Sequence, residues 1–243
     1  MTINVLEVRN YRLKPDMLEH FIDYFEEALI PPQELTQMQV IGQFRVVDEL
    51  NRFVWLRGFS DMNMRLTALK TFYGGPVWAK YGPRANEMML EWHNVHLLRP
   101  LDAAADLMHG VNTEHIAREM AEGTISPNVG MIAIDFYQAQ VGKREALINA
   151  FQSLVMPAYK REAIQIRGLF VAEMSENAYT TPVIQNEEEF VVITAYENED
   201  TYWENRDDLT QHISDTTRTF LSAAPNSLLL SPTLRSPLRY LHP

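Results

Sequence analysis

One pattern occurs twice in the chain, and this repeat limits the fold more than any other feature of the sequence. Residues 11–44 recur as residues 137–170 without a gap, at a shift of 126 positions. The matched positions are Tyr11 with Tyr137, Phe25 with Phe151, Pro31 with Pro157, Gly42 with Gly168 and Phe44 with Phe170. A repeat of this length is the size of a domain rather than of a solenoid unit. The sequence therefore predicts two copies of one domain.

The first copy predicts a regular order of strands and helices. Residues 5–12 alternate, which indicates a strand with Leu6 and Val8 on one face and Glu7, Arg9 and Tyr11 on the other. Apolar residues at helical spacing follow, until Pro31 and Pro32 end or kink that helix. Strands are predicted at 39–47, 52–59 and 92–99, with helical regions from residues 61 and 78. This order is that of a ferredoxin-like βαββαβ unit.

The second copy predicts the same order with one insertion. Residues 190–196 match 53–59 at a shift of 137 positions instead of 126, so residues were added between its second and third strands. We expect this insertion, residues 173–189, to form an exposed hairpin extension. The predicted segments are an N-terminal domain at 1–100, a linker at 101–128, a degenerate C-terminal repeat at 129–232 and a surface tail at 233–243. The linker is expected to contain a short helix at 114–121.

Composition narrows the classes of function. The 243 residues include no cysteine, which excludes disulfides, thiol nucleophiles and cysteine-ligated metals. The formal net charge of −11, without a cluster of Lys and Arg, argues against nucleic acid as a partner. No apolar run is long enough for a membrane span, and the N-terminus leads directly into a strand pattern. We therefore expect a cytoplasmic protein.

Four stretches of the first half carry a family resemblance. They are residues 6–15, residues 40–44, residues 53–59 with Asp61, and the Phe-Tyr-Gly-Gly-Pro-Val-Trp motif at 72–78. In these stretches the chain resembles the NIPSNAP family, a branch of the dimeric α/β-barrel superfamily. The resemblance implies an α+β fold in which two ferredoxin-like units form an intramolecular dimeric α/β-barrel, with homodimers or higher oligomers of the chain left open.

The resemblance also implies a place for a ligand, because superfamily members bind ligands between the sheet and the helices of one unit. These members include cofactor-free monooxygenases, polyketide cyclases and haem enzymes. In this sequence Arg9, Tyr11, Arg57 and His96 would suit a carboxylate or an enolate. Arg9 and Arg57 would hold the anion, Tyr11 would donate a hydrogen bond, and His96 would act as a base near neutral pH.

Aromatic residues are the remaining site candidates. Trp55, Tyr73 and Trp78 would form the apolar wall of the pocket. A purely structural alternative stays open, in which Glu7 pairs with Arg9 or Arg57, Tyr11 is hydrogen-bonded in the wall, and Trp78 fills the core.

The second copy loses this polar set. The positions of Arg9, Arg57 and His96 are occupied by Asp135, Thr194 and Leu228. We therefore expect at most the first unit to hold a functional pocket, with the second unit as a scaffold.

Sequence motifs give no support for a metal or a nucleotide. No His-Glu-x-x-His, Gly-x-Gly-x-x-Gly, Walker or Gly-x-Ser-x-Gly motif occurs. A haem bound through His93 or His96 is the least favoured alternative, so we expect no cofactor and no metal. The favoured hypothesis is a small-molecule site, with or without monooxygenase- or isomerase-like activity. The alternative is a non-catalytic interaction or sensing protein that meets its partner through the insertion and the tail.

Overall fold

Both halves of the chain contain a strand, a helical region, two further strands, a second helical region and a fourth strand. The computed structural model describes residues 2–101, 107 and 130–241, so the helix predicted at 114–121 lies outside the described residues. The first half contains β1 (Val5–Leu13), α1 (Leu18–Tyr24), a π-helical turn (Phe25–Leu29), α2 (Ile30–Glu34), β2 (Gln39–Val46), β3 (Glu49–Phe59), α3 (Met62–Tyr73), α4 (Pro76–Met88) and β4 (Met89–Pro100). The second half contains β5 (Met131–Gln138), α5 (Arg144–Ala150), a π-helical turn (Phe151–Val155), α6 (Met156–Arg161), β6 (Gln165–Ala172), β7 (Glu189–Tyr196), α7 (Glu199–Thr217), a 3₁₀ turn (Arg218–Phe220) and β8 (Asn226–Pro232).

The strands of this single chain close into one antiparallel barrel, in the order β1-β3-β2-β8-β5-β7-β6-β4. The first half supplies the run β4-β1-β3-β2 and the second half supplies β8-β5-β7-β6, so the strands follow the same order in both. The two runs meet where β2 pairs with β8 and where β4 pairs with β6. The prediction that one chain closes the barrel by itself is confirmed.

Apolar side chains fill three layers. The barrel interior is built from both halves, and each half has a second core between the outside of its strands and its own helices. On β1, Leu6 and Val8 face the interior, whereas Val5 and Tyr11 belong to the helix side. Because side chains alternate along a strand, Glu7 and Arg9 also lie on the helix side. Charged residues are thus placed inside the layer between sheet and helices.

The two prolines predicted to end or kink the first helix do not end it. The chain passes from α1 through the π-helical turn into α2, and the amide of Ile30 donates to the carbonyl of Phe25, five residues back. The second half repeats this arrangement, with Met156 donating to Phe151 just before Pro157. Proline lacks the N–H that would continue the regular ladder, so a wider turn before it accommodates the change of direction.

The insertion is not an exposed hairpin, which corrects that prediction. Strand β6 pairs only with residues 98–100 of β4, so the backbone of β4 before them needs other partners. The insertion supplies them: Leu97 donates to the carbonyl of Ile184 at 3.0 Å, and Ile184 donates to the carbonyl of Val95 at 2.7 Å. Tyr179 and Val183 of the insertion pack against the helix-side core of the first half.

The tail is also more than a surface segment, because it pairs with strand backbone that the barrel leaves uncovered. Strand β2 pairs with β8 only at residues 44–46, and the tail covers the backbone before them. The amide of Leu238 donates to the carbonyl of Ile41 at 2.8 Å, and the hydroxyl of Ser236 accepts from the amide of Gln43 at 3.1 Å. The side chain of Leu238 is fully buried in the barrel interior. Both short junctions of the barrel are thus closed by segments outside the repeat.

Candidate functional site

The most charged buried cluster among the described residues lies between the first half's strands and helices. It consists of Glu7 and Arg9 on β1, Arg57 on β3 and Arg65 on α3, and we call it the arginine site. Arg9 Nη1 donates to Glu7 Oε2 at 2.6 Å, and Arg57 Nε donates to the same oxygen at 2.8 Å. Arg65 Nε donates to Glu7 Oε1 at 2.7 Å. All four side chains are at most 2% exposed.

The arginine site has more positive than negative charge. Three guanidinium groups surround one carboxylate, which leaves a net charge of +2 in a layer shielded from water. Burial alone would raise the pKa of Glu7, but the charges of Arg57, Arg9 and Arg65 outweigh burial and hold the pKa well below its usual range. Glu7 is therefore ionised at neutral pH.

Several buried donors of the site have no hydrogen-bond partner. These donors are Arg57 Nη2, Arg65 Nη2 and Trp55 Nε1. Arg57 Nη2 lies 2.8 Å from Glu7 Oε2, so it is ion-paired with this carboxylate although it forms no hydrogen bond of its own. Buried donors are normally paired in folded proteins, so these three mark an unsatisfied polar surface.

Tyrosine and glutamine side chains complete the polar part of the site. The hydroxyl of Tyr11 accepts from Arg9 Nε at 2.8 Å, and burial raises the pKa of this tyrosine. Arg57 Nη1 reaches Gln33 Oε1 at 3.3 Å and the Tyr73 hydroxyl at 3.4 Å, both long for hydrogen bonds. On the helix side, Arg57 therefore makes only weak hydrogen bonds with Gln33 and Tyr73.

Aromatic rings form the wall next to the arginine site. Tyr73 and Trp78 contact each other edge to face at 4.8 Å, and the guanidinium of Arg57 lies 5.1 Å from the ring of Trp55. The rings of Trp55, Tyr73 and Trp78, with Tyr11 and Gln33, line a cavity of about 20 Å³ next to the arginines. That volume holds roughly one water molecule. The site is nearly closed in this conformation.

The insertion from the second half covers the arginine site. Asn177 Oδ1 accepts from Arg65 Nη1 at 2.8 Å, and the ring of Tyr179 stacks on Tyr73 at 6.0 Å. Both residues of the insertion are half-buried. The insertion therefore closes a site in the first half with side chains from the second.

The structure brings together six of the seven predicted site residues. Arg9, Tyr11, Trp55, Arg57, Tyr73 and Trp78 all lie at the arginine site or line its cavity. The Glu7 ion pairs of the structural alternative are also present, so its contacts are real. These ion pairs do not neutralise the site, because one carboxylate cannot balance the charge of three guanidinium groups.

The placement of His96 beside the arginines is wrong. His96 pairs directly with Val8 on β1, and Val8 faces the barrel interior. Directly paired residues share a face of the sheet, so His96 is on the side opposite Arg9. Its Nδ1 lies 2.8 Å from Glu189 Oε1 of the second half, and its ring contacts Phe136.

Three side chains at the arginine site were missed by sequence reasoning. They are Arg65, Asn177 and Tyr179. Arg65 had a signal in the sequence, because it falls at helical spacing with the buried Ala68, Leu69 and Phe72. An arginine in an apolar stripe needs a buried partner. Asn177 and Tyr179 had no comparable signal, because the insertion has no counterpart in the first copy.

The second half also contains a cavity, of about 490 Å³, beside Asp135, the residue at the position of Arg9. The expectation that at most the first unit holds a functional pocket stays a prediction.

The part of the chain that the structure describes lacks a metal-binding cluster and a membrane-spanning helix. No group of three or more His, Asp or Glu side chains is arranged there to hold a metal ion. No helix there has the length and apolar character needed to cross a membrane.

Solved structures share this fold over almost the whole chain. A candidate monooxygenase from Fusobacterium nucleatum superposes with a TM-score of 0.59 at 11% identity, covering 95% of this chain and 93% of that one. A candidate monooxygenase from Lactobacillus acidophilus gives 0.58 at 10% identity, covering 95% and 94%. An anthrone oxidase-like protein gives 0.58 at 9% identity, covering 95% and 91%. Identities this low show a common fold alone.

Sequence comparison identifies the first half. No curated protein matches the sequence. The NIPSNAP family model matches residues 6–104, the region that contains β1 to β4 and the three arginines. Residues 6–104 of the chain therefore match the NIPSNAP family.

Proposed function

We propose that the first half of the chain binds a small organic anion, a carboxylate or an enolate, at the arginine site. The observation that supports this function is the net charge of +2, together with Nη2 groups on Arg57 and Arg65 that donate no hydrogen bond. A buried donor without a partner costs about 1–3 kcal/mol. An anion would accept from both guanidinium groups and offset part of the excess charge.

The surroundings favour an anion with an aromatic or otherwise apolar body. Trp55, Tyr73 and Trp78 give the cavity an aromatic wall, and the unpaired Trp55 Nε1 offers one further donor. Flat apolar groups pack well against such rings, whereas the guanidinium forks fix a carboxylate. The proposed ligand class is therefore an aromatic or branched carboxylate or its enolate.

Binding requires the site to open, because the present cavity holds roughly one water molecule. The insertion is attached to the site by one hydrogen bond to Arg65 and one ring contact with Tyr73. The turn between α3 and α4 consists of Gly74 and Gly75, directly after Tyr73. We propose that the insertion and this turn move apart to admit the ligand.

A pair of isosteric ligands tests the proposed function. Benzoate is expected to raise the Tm of the full chain in a concentration-dependent way, since a ligand that binds only the folded state stabilises it. Benzamide, which has the same shape without the charge, is expected to leave the Tm unchanged. Equal shifts with both compounds, or no shift with a wider set of aromatic carboxylates, would contradict an anion site.

The covering role of the insertion gives a kinetic prediction. The double substitution Asn177→Ala and Tyr179→Ala removes both of its contacts with the site. Together they are worth about 1–2 kcal/mol, so the open form should become about 5–30 times more populated. Stopped-flow measurements should show benzoate associating faster by a similar factor. The control is Met174→Ala, an exposed residue of the same insertion; identical rates in all three proteins would show that the insertion does not limit entry.

Catalysis is a second candidate, favoured by the shared fold with structures named as candidate monooxygenases. The residues of the arginine site argue for binding over proton abstraction. The pKa of Glu7 is lowered and that of Tyr11 is raised, so neither takes up a proton near neutral pH. We therefore propose binding as the primary function, and oxygenation of the bound anion by molecular oxygen as the second candidate.

We also propose that the two halves are copies of one ferredoxin-like unit. The common strand order and the π-helical turns at matched positions support this origin. The domain limits 1–100 and 129–232, and the cytoplasmic location, stay predictions.

A further inference from the structure

The cavity of the second half differs in size and chemistry from the arginine site. It lies between strands β5 and β8 on one side and helix α7 with the segment after it on the other. Its volume of about 490 Å³ is within the range of small-molecule sites. Ile213, Leu221 and Pro225 give it apolar wall surface, and Asp135 and Ser227 stand at its sheet side.

Asp135 is a buried polar group of this cavity whose carboxylate can accept further hydrogen bonds. Its side chain is 4% exposed and accepts a hydrogen bond from the hydroxyl of Ser227. Arg206 Nη1 lies 3.9 Å from Oδ1, too far for a hydrogen bond. A carboxylate accepts about four hydrogen bonds when fully satisfied. Burial raises the pKa of this carboxyl, consistent with its incomplete set of partners.

The charge of this cavity differs from that of the arginine site. At the position of Arg9 the second half has Asp135. The cavity is also lined by Arg206 and Arg218, so one carboxylate and two guanidinium groups give it a formal charge of +1. An anion at the sheet side would meet the carboxylate of Asp135, and a cation would meet the guanidinium groups. An uncharged hydrogen-bond donor avoids both costs and still gives Asp135 a partner.

We propose that this cavity binds an uncharged hydroxyl compound with an apolar ring, such as a phenol or a cyclic alcohol. The ligand hydroxyl donates to Asp135, and the ring lies against Ile213, Leu221 and Pro225. This second site is independent of the anion site of the first half, since it uses other residues and a different ligand class.

The test is calorimetric titration of the full chain with 4-ethylphenol, together with 4-ethylbenzoate and 4-ethylbenzylamine as charged analogues. The wild-type protein is expected to bind 4-ethylphenol, and Asp135→Leu to weaken that binding about tenfold through loss of the hydrogen bond. Ser214→Phe, which fills the cavity from α7, should abolish binding. Gln211→Phe places the same ring at an exposed position of α7 outside the cavity and should bind as the wild type does.

Arg57→Met separates the two sites, because it alters only the first half and should leave 4-ethylphenol binding unchanged. The proposal is overturned if the wild-type protein does not bind 4-ethylphenol, or if Ser214→Phe binds it normally. It is also overturned if the benzylamine binds more tightly than the phenol. Binding of 4-ethylbenzoate that Arg57→Met abolishes belongs to the arginine site, whereas binding that only Ser214→Phe abolishes would contradict the preference for an uncharged ligand.

Discussion

Glu7→Gln is expected to lower the free energy of unfolding by about 3–5 kcal/mol at neutral pH. Glu7 is the carboxylate partner of all three buried arginines, and the substitution raises the net charge of the site from +2 to +3. Removing one side of a buried ion pair leaves charges that neither water nor protein compensates. Chemical denaturation of both proteins, compared at equal salt, measures this loss.

The same substitution should change the pH dependence of stability. The pKa of Glu7 is lowered in the folded protein, so its contribution is complete above its unfolded pKa of about 4.3. This contribution is lost as the pH falls toward the lower folded value. The difference in stability between wild type and Glu7→Gln is therefore expected to be constant from pH 8 to about pH 5 and to shrink below about pH 4.

Glu26→Gln is the matched control for this prediction. Glu26 is also a buried glutamate of the first half, but burial raises its pKa, so its ionised form is not favoured by folding. Its replacement should cost about 1 kcal/mol or less. A loss at Glu7 no larger than the loss at Glu26 would show that the three arginines do not depend on the Glu7 carboxylate.

Arg57→Met is expected to weaken benzoate binding about 100-fold, equivalent to about 2.7 kcal/mol. Arg57 carries one of the two Nη2 groups that donate no hydrogen bond, and it contacts the aromatic wall through Trp55. The ligand-free protein should lose little stability, within about 1 kcal/mol, because Arg9 and Arg65 still pair with Glu7 and the excess charge falls to +1. Calorimetric titration with benzoate and denaturation without it measure the two effects separately.

Arg45→Met controls for the loss of one positive charge. Arg45 pairs with Glu19 at the surface, and Glu19 is 63% exposed, so this substitution should not change benzoate affinity. If instead Arg57→Met destabilises the ligand-free protein strongly and leaves benzoate affinity intact, the arginines hold the fold together and do not form a ligand site.

Much of the fold follows from local patterns in the sequence. Alternation on β1 and the matched positions of Tyr11 and Tyr137 predicted the strands and the order of elements, and the resemblance to the NIPSNAP family implied that one chain closes the barrel. The insertion and the tail could not be placed in this way. Their positions depend on the short pairing of β4 with β6 and of β2 with β8, which leaves backbone groups for them to cover. The length of each pairing is set by the packing of the whole barrel.

The sequence predicted those site residues that lie on one strand or on neighbouring strands whose order was known. Glu7, Arg9 and Tyr11 share a face of β1, and Arg57 pairs directly with Glu7. His96 was misplaced because its face depends on the register between β1 and β4, which the sequence does not specify. Arg65 and Asn177 reach the site from a helix and from the insertion, so their meeting at the site depends on tertiary packing.

A crystal of the full chain soaked with 4-bromobenzoate measures the central claim most directly, because the anomalous signal of bromine locates the ligand. The account predicts bromine between the sheet and the helices of the first half, near Trp55 and Trp78, with the carboxylate on Arg57 and Arg65. Bromine found solely at the surface or in the cavity beside Asp135, with the arginine site still closed, would contradict it.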